Sequence, residues 1–525
     1  MIVSKRVGRG IFERIQRKRG NPLMKLSQFI LGTALGLAAG AVAFYYKKNT
    51  DVLAPERLSN TRIFDDFSAV DLQRFGKQLS YAAADNSALV LEQHDDAYVA
   101  EGILLTPAFK LTSFKTLVVS WNALTPRGTS VDVSAQVLVD GEWSKWHSWG
   151  HWSASQPSAS AVEDTIDPLA SLDTDTLTTS GTATEVRLRV KLHSDDATQT
   201  PVLKLLAASV KPLNRDLTAD DHPIELDKVI SAPAYSQEIR DPKLAPGICS
   251  PTTVSMAVNR QNADILPEEA ALRNYDETYD GFGNWSFSTA LAGSLGYHAY
   301  TAFTTMNGLR HLIADGYPVG VSVQYTNDPN QTDLPYVKGT PGSTYGHLLL
   351  VTGFTKIDGV DYVAVNDSYA DDDATAKRFY RLDQFSKAWA SRVAYIIEEN
   401  YPGYERLMQP SRITVTLLPD DDLQHYTVCE NDNLRPLTPT QYEKTSHFDE
   451  ETMTVAYCFN DDGNKASLAN QHIYYADVDD QGRIILDVKA LKLKHPAATE
   501  LTVYVARLAA PTLTATINLD EIHAD

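Results

Sequence analysis

The pair Asp358-Gly359 constrains this chain most. It stands between the apolar runs Leu348-Leu349-Leu350-Val351 and Tyr362-Val363-Ala364-Val365. An Asp-Gly pair between such runs is a strong hairpin signal, because a tight hairpin turn needs residues that tolerate positive φ. Folding back there brings the outer ends of the two runs together: Gly346-His347 opens the first and Asn366-Asp367 closes the second. Side chains alternate along a strand, so register decides whether His347 and Asp367 share a face. A connection of odd length puts them on one face. An even one separates them unless a bulge intervenes.

A second constraint lies upstream, in Ile248-Cys249-Ser250-Pro251-Thr252-Thr253. Ser250 is expected to cap a helix and Pro251 to take its first position, where a missing N–H costs nothing. Val254, Met256, Ala257 and Val258 give that helix a face to bury. A thiol at a helix start sits in a partial positive potential that favours thiolate. The chain has three cysteines. Cys429 and Cys458 lie in a later segment, where they either pair in an oxidising exterior or stay separate thiols; if they pair, Cys249 is the odd thiol left over. Each residue has a structural reading: a buried cysteine, a strand histidine, a turn-forming aspartate. Together they fit a nucleophile, a base that takes its proton, and a carboxylate that fixes the base's tautomer. Asn366 is a rival to Asp367 for the third position.

Residues 229–400 resemble the bacterial papain-fold cysteine peptidases related to the double-glycine-leader (bacteriocin-processing) peptidases, family thirty-nine of the cysteine peptidases. The matching pieces are Ala232-Pro233-Ala234-Tyr235-Ser236-Gln237, Cys249-Ser250-Pro251-Thr252-Thr253, Gly283-Asn284-Trp285, Tyr345-Gly346-His347 and Val365-Asn366-Asp367. The resemblance implies a papain-like α+β fold, a catalytic triad of Cys249, His347 and Asp367, and a contribution of Gln237 to the oxyanion hole. The chain departs from the family pattern in carrying Ser250 where many members have Gly, and in a longer interval between Gln237 and Cys249. Helices are expected from Pro267, over Trp285–Leu295 and over Leu309–Ala314, and a strand over Pro318–Tyr325. The polar stretch 326–344 reads as a loop before His347, fit either to line a cleft or to be an inert excursion. Asp371-Asp372-Asp373 reads as a solvated acidic turn.

The expected architecture is multidomain: a papain-like domain (229–400) flanked by an N-terminal β-sandwich (62–212) and a C-terminal β-rich domain (412–525), with an N-terminal transmembrane helix within residues 1–48. Leu26 to Tyr46 is uncharged and long enough to span a bilayer, with eight Lys/Arg before it and two just after. That asymmetry predicts a cytoplasmic N-terminus and an extracellular body; a cleaved signal peptide, with Ala41-Val42-Ala43 as its site, is the alternative. The net charge of −20 hides a basic leader, since residues 1–48 carry ten Lys/Arg against one Asp/Glu. So acidic a body argues against nucleic-acid binding.

In the sandwich, Trp143, Trp146, Trp149 and Trp152 recur every three residues beside His147 and His151. They suit either a sugar- or wall-binding platform or the packing of a sheet edge. Six strands are expected in the C-terminal part: Ile413–Leu418, Met453–Phe459, His472–Asp477, Arg483–Val488, Leu501–Leu508 and Leu513–Leu519. The leading functional expectation is a membrane-anchored extracellular cysteine peptidase acting on peptide or protein substrates, with no cofactor and no metal. A cell-wall amidase or transpeptidase using the same triad, and a non-catalytic surface binding protein, are the alternatives.

Overall fold

The computed structural model describes residues 59–67, 79–80, 82–85, 87–162, 165–219, 223–261, 263–401, 412–431, 433–438, 453–460, 472–508 and 510–522. The apolar stretch Leu26–Tyr46 lies outside the described residues. Among those that are described, no helix is long and apolar enough to cross a membrane.

The N-terminal β region is built on four long strands: β1 (Phe109–Leu124), β2 (Thr129–Val139), β3 (Thr176–Ser194) and β4 (Val202–Pro212). They belong to one twelve-stranded hydrogen-bonded network, whereas a sandwich implies two separate sheets. The reason lies in β3. Its register shifts between Thr178, Ala183 and Glu185, and such irregularities bend a strand. β3 therefore pairs with β1 through its first half, then with Glu101–Leu105, while β2 runs along its other edge.

The tryptophans pack rather than form a platform. Trp149 and Trp152 are fully buried, and Trp149 Nε1 donates to the Asp175 carbonyl (2.8 Å). Residues three apart on a regular strand face opposite ways, but here the register shifts between Ser148 and His151. Gly150 makes this possible: its φ is +84°, and a Cβ there would stand 1.9 Å from the Ala159 carbonyl oxygen. Trp143 and Trp146 lie under the guanidinium groups of Arg187 (3.9 Å) and Arg189 (4.9 Å).

The middle region holds helices α1 (Cys249–Asn259), α2 (Pro267–Asn274), α3 (Trp285–Ser294) and α4 (Met306–Asp315). Asn284 caps α3 by accepting from Phe287 N, Thr305 caps α4 by accepting from Gly308 N, and Gly316 ends α4 in the left-handed region. The strands are β5 (Tyr297–Phe303), β6 (Val319–Tyr325), β7 (Thr344–Ile357), β8 (Val360–Asn366), β9 (Lys377–Arg381) and β10 (Val393–Asn400). They form an antiparallel sheet in the order β5-β10-β6-β7-β8-β9, with Lys228–Val229 added beside β7. Helices cover both faces. Val254 and Val258 of α1 and Leu291 of α3 pack with Leu348 and Leu350 on one side; Leu309 and Ile313 of α4 pack with Leu349 and Val351 on the other.

The C-terminal region is an eight-stranded sheet, including Met453–Phe459, Glu500–Arg507 and Ala510–Asn518. The strand expected over Arg483–Val488 shrinks to Ile484–Ile485, and Asp487 instead caps a helix over Val488–Lys494. No disulfide forms: Cys429 and Cys458 are separate buried thiols. Their strands are three neighbours apart in the sheet, roughly 14 Å at the usual strand spacing. That is beyond the reach of an S–S bridge.

Both flanking regions close onto the middle one. β5 is the edge strand of the middle sheet, and side chains of the N-terminal region occupy its backbone. Asn122 accepts from Ala299 N (3.0 Å) and donates to Ala299 O (2.7 Å), Ser120 accepts from Thr301 N (2.9 Å), and Asn60 donates to Phe303 O (2.7 Å). On the other side, Leu244, Ile248 and Leu272 pack with Ala506 and Leu508, and Leu266 packs with Cys458 and Tyr504.

Candidate active site

The hairpin positions two of the expected site residues. Ile357 pairs with Val360 across a two-residue turn, in which Asp358 has φ 51° and Gly359 φ 78°. That connection is even and alone would split His347 from Asp367. The ladder shifts between Gly353 and Val351, however, so Thr352 is the extra residue of a bulge. Its carbonyl accepts from Ile230 N (2.8 Å). Beyond it Val351 faces Val365 and Leu350 faces Asn366. The bulge returns His347 and Asp367 to one face.

There His347 Nε2 lies 2.8 Å from Asp367 Oδ1. Asp367 is fully buried and accepts three further bonds: from Tyr369 N (3.0 Å) to Oδ1, and from the hydroxyls of Tyr325 (3.0 Å) and Tyr380 (2.7 Å) to Oδ2. Asn366 does not meet His347; its amide donates to the Pro233 carbonyl (2.8 Å). Tyr325 and Tyr380 were invisible to sequence reasoning, since each reaches Asp367 only through strand order.

Cys249 is the first residue of α1. Ile248 occupies the cap position without a side-chain bond, so Ser250 is not the cap. Its hydroxyl turns inward to Ser288 Oγ (2.7 Å) and Tyr395 Oη (3.0 Å), because the start of α1 is buried against α3 and β10. Pro251 is consequently the third helical residue, still within the turn whose N–H groups lack intrahelical acceptors. The Cys249 thiol is half-buried, and His347 and the backbone amides of Leu348 and Ser250 are near enough to act on it electrostatically. Burial pushes the thiol up, but His347 and the two amides outweigh it and hold it below its ordinary value. Burial likewise opposes the charge on His347, yet Asp367 and Cys249 push it up to about 10. Burial also works against the Asp367 charge, and His347 and Tyr380 keep that carboxyl below the usual carboxylate range.

Gln237 is buried and tied at both ends. Its N–H donates to the Ser368 carbonyl (2.7 Å), its Nε2 donates to the Ala245 carbonyl (2.9 Å), and its Oε1 accepts from Ser368 Oγ (3.2 Å). It thus bridges the loop after Asp367 to the turn before Cys249. Within the acidic run, Asp371 and Asp372 are exposed, but Asp373 takes a bidentate bond from Arg240 (2.9 and 3.0 Å) and accepts from Ser236 N (2.6 Å). Asp373, still in the turn and partly exposed, thus also anchors the Gln237 segment. Asp333 of the 326–344 loop accepts from the hydroxyl of the exposed Tyr345, near the start of β7.

Comparison with known families bears on the domains rather than on this arrangement. Residues 229–397 match the peptidase C39-like family. The chain carries a peptidase C39-like domain. Residues 60–210 match the peptidase C39 N-terminal domain, so the β region ahead of the C39-like domain is also one seen in this family. Among solved structures, the chain is similar to a C39-like peptidase from Bacillus anthracis, with 15% identity and a TM-score of 0.25 over 33% of this chain and 100% of that one. It is also similar to a structure from work on the mite allergens Blo t 1 and Der p 1, with 10% identity and a TM-score of 0.24 over 35% and 74% of the two chains. No curated protein matches the chain.

Proposed function

We propose that the chain is a cysteine peptidase in which Cys249 is the nucleophile, His347 its acid–base partner and Asp367 the group that orients the imidazole. The observation that carries this reading is His347 hydrogen bonded to the buried Asp367, beside a Cys249 thiol that the His347 charge helps to hold below its ordinary value. A thiolate–imidazolium pair would attack the peptide carbonyl carbon, and the imidazolium would give its proton to the departing amine, leaving a thioester. Water would then attack that thioester, with His347 taking its proton and the thiolate leaving. The N–H of Cys249, at the first helical position, and the second N–H of the Gln237 amide are the proposed donors to the oxyanion. The tyrosine bonds to Asp367 would keep it ionised and fixed in place through both steps.

The proposed setting is the outside of a membrane. Its support is the 21-residue uncharged stretch from Leu26 to Tyr46, with the basic residues concentrated ahead of it.

The test is the pH dependence of Cys249 alkylation by iodoacetamide, in the full chain and in His347→Ala. In the native protein, alkylation is expected to persist well below the ordinary thiol value of ~8.5 and to return toward it without His347. With His347 at about 10, the ion pair forms above the Cys249 value and is lost as the imidazolium deprotonates on the alkaline side. A thiol that titrates in the ordinary range and ignores His347 overturns the proposal.

A further inference from the structure

The long interval between Gln237 and Cys249 is held from two directions. Within the C39-like domain, the buried Arg240 donates from Nε to the Ser236 carbonyl (3.0 Å) as well as making its bidentate bond to Asp373. The backbone just ahead of Gln237 is fixed by these bonds. The rest of the interval folds as one compact turn. The Asp241 carbonyl accepts from Leu244 N and Ala245 N (2.9 Å each), and Asp241 Oδ1 accepts from Lys243 N (3.0 Å). Ala245, placed in this way, is the residue whose carbonyl takes the Gln237 amide (2.9 Å).

That turn is fastened from outside the domain. Asp241 is buried, and its Oδ2 accepts from the hydroxyl of Thr454, which is also buried (2.7 Å). Thr454 lies on the strand Met453–Phe459 and pairs with Ala506 on Glu500–Arg507. Ala506 in turn packs with Leu244 and Ile248. A polar and an apolar contact from neighbouring strands of the C-terminal sheet thus meet the same segment, the first at its start and the second farther along.

We infer that the C-terminal region is part of the catalytic apparatus, with Thr454 and Asp241 as positioning residues for the Gln237 amide. A primary amide can turn about its last bond, and its two N–H groups point in different directions. The Ala245 carbonyl fixes the orientation by taking one N–H and leaving the other for the substrate oxygen. Asp241 places Ala245, and Thr454 places Asp241. Without the Thr454 hydroxyl, a buried carboxylate oxygen loses its partner, and the turn shifts to satisfy it. An oxyanion donor is effective when it is preorganised, so a displacement of about an ångström slows any step that forms an oxyanion. The inference rests on Cys249 acting as nucleophile with Gln237 as a donor.

The test compares two reactions of Cys249 in the full chain. With p-nitrophenyl acetate, the thiolate adds to the ester carbonyl and the carbonyl electron pair moves onto oxygen. Collapse of that oxyanion expels p-nitrophenolate and leaves an acetyl thioester. With iodoacetamide, the thiolate displaces iodide from a saturated carbon and no oxyanion forms. The burst rate of p-nitrophenolate is divided by the iodoacetamide rate of the same protein, at a pH below the ordinary thiol value of ~8.5. Thr454→Val is expected to lower this ratio about tenfold, and Gln237→Ala, which removes the donor, by about 10²-fold or more. Thr454→Ser, which keeps the hydroxyl, should match the native protein, and the pH profile of iodoacetamide alkylation should be the same in both Thr454 variants. Thr454→Val in an Asp241→Asn background breaks the same bridge without stranding a buried charge, so the fall is expected there too, whether or not the single variant folds. An unchanged ratio in the Thr454→Val proteins, or a fall shared by Thr454→Ser, overturns the inference. An unchanged ratio in Gln237→Ala overturns the donor role of Gln237 and the inference with it. An unactivated thiol in the iodoacetamide titration overturns the peptidase reading itself, a different result from an activated thiol whose ratio ignores Thr454.

Discussion

The two seams that hold the C39-like domain between its neighbours are made of different chemistry. On the N-terminal side the β5 edge is covered by neutral hydrogen bonds to backbone, from Asn122, Ser120 and Asn60, with the buried carboxylates of Asp175 and Asp276 and an Asp65–His298 pair (3.5 Å) beside them. On the C-terminal side the contacts are buried charges. Arg412 makes two bonds to Glu269 (3.1 and 2.7 Å) and stacks over Tyr504, Glu268 accepts from Tyr475 (2.5 Å), and Asp241 accepts from Thr454 (2.7 Å). Backbone bonds finish a sheet edge at little electrostatic cost. Buried ion pairs fix a geometry, but each charge depends on its partner to offset desolvation. The second seam also braces Leu244 and Ile248, the approach to Cys249.

The largest effect should come from breaking the charged seam. Arg412→Ala takes the ion-paired guanidinium from the fully buried Glu269 and leaves it the charge of Arg273, and a loss of up to about 3–5 kcal/mol in denaturant unfolding is expected. A loss below about 1 kcal/mol would show that the seam contributes little. Next comes the tight approach of α3 to β1 on the other side. A Cβ on Gly293 would fall 2.7 Å from the Asn122 Cα, which is backbone and cannot swing away. Gly293→Ala should therefore cost about 1–3 kcal/mol, and crystallography of that variant should show α3 displaced from Asn122.

pH sharpens the comparison with smaller effects of opposite sign. Burial first, with the charges of Asp276 and Asp173, raises Asp175 to about 6. Its folded form binds the proton more tightly than the unfolded chain, so stability falls as pH rises from about 4 to about 6. Asp175→Asn should flatten that slope in urea titrations across the same window. Glu269 runs the other way. Burial opposes its charge, but Arg412 outweighs burial and lowers it. Its contribution is therefore present above about 4.3 and lost as pH falls through the lowered folded value. Glu268, raised chiefly by burial, partly offsets this within the same seam. Comparing native protein with Glu269→Gln between pH 3 and 5, roughly the range where carboxylates titrate, should isolate the Glu269 contribution. Equal slopes would remove its assigned role.

How much of this could be read from the sequence depends on how local each signal was. The turn at Asp358-Gly359, the cap at Asn284 and the end of α4 at Gly316 all rest on residues within a few positions of one another. The bulge at Thr352 rests on Ile230, more than a hundred residues away, so sequence could pose the face question but not resolve it. Ser250 looked like a cap because its type suits one, yet burial against Ser288 and Tyr395 claimed its hydroxyl. The tryptophan spacing was plain, but its meaning turned on a glycine whose φ only the structure supplies. Asp373 was indistinguishable from its acidic neighbours until Arg240 was found beside it.

The polar seal over β5 carries a consequence for the order in which this chain is made. An uncovered edge strand is a template for pairing with another molecule. Here the groups that occupy the edge, Asn60, Ser120 and Asn122, precede Tyr297–Phe303 in the chain. They leave the ribosome first, so the β region can be waiting when the vulnerable strand emerges. Synthesised without that region, the C39-like domain would present β5 bare, and light scattering should record it gathering into aggregates.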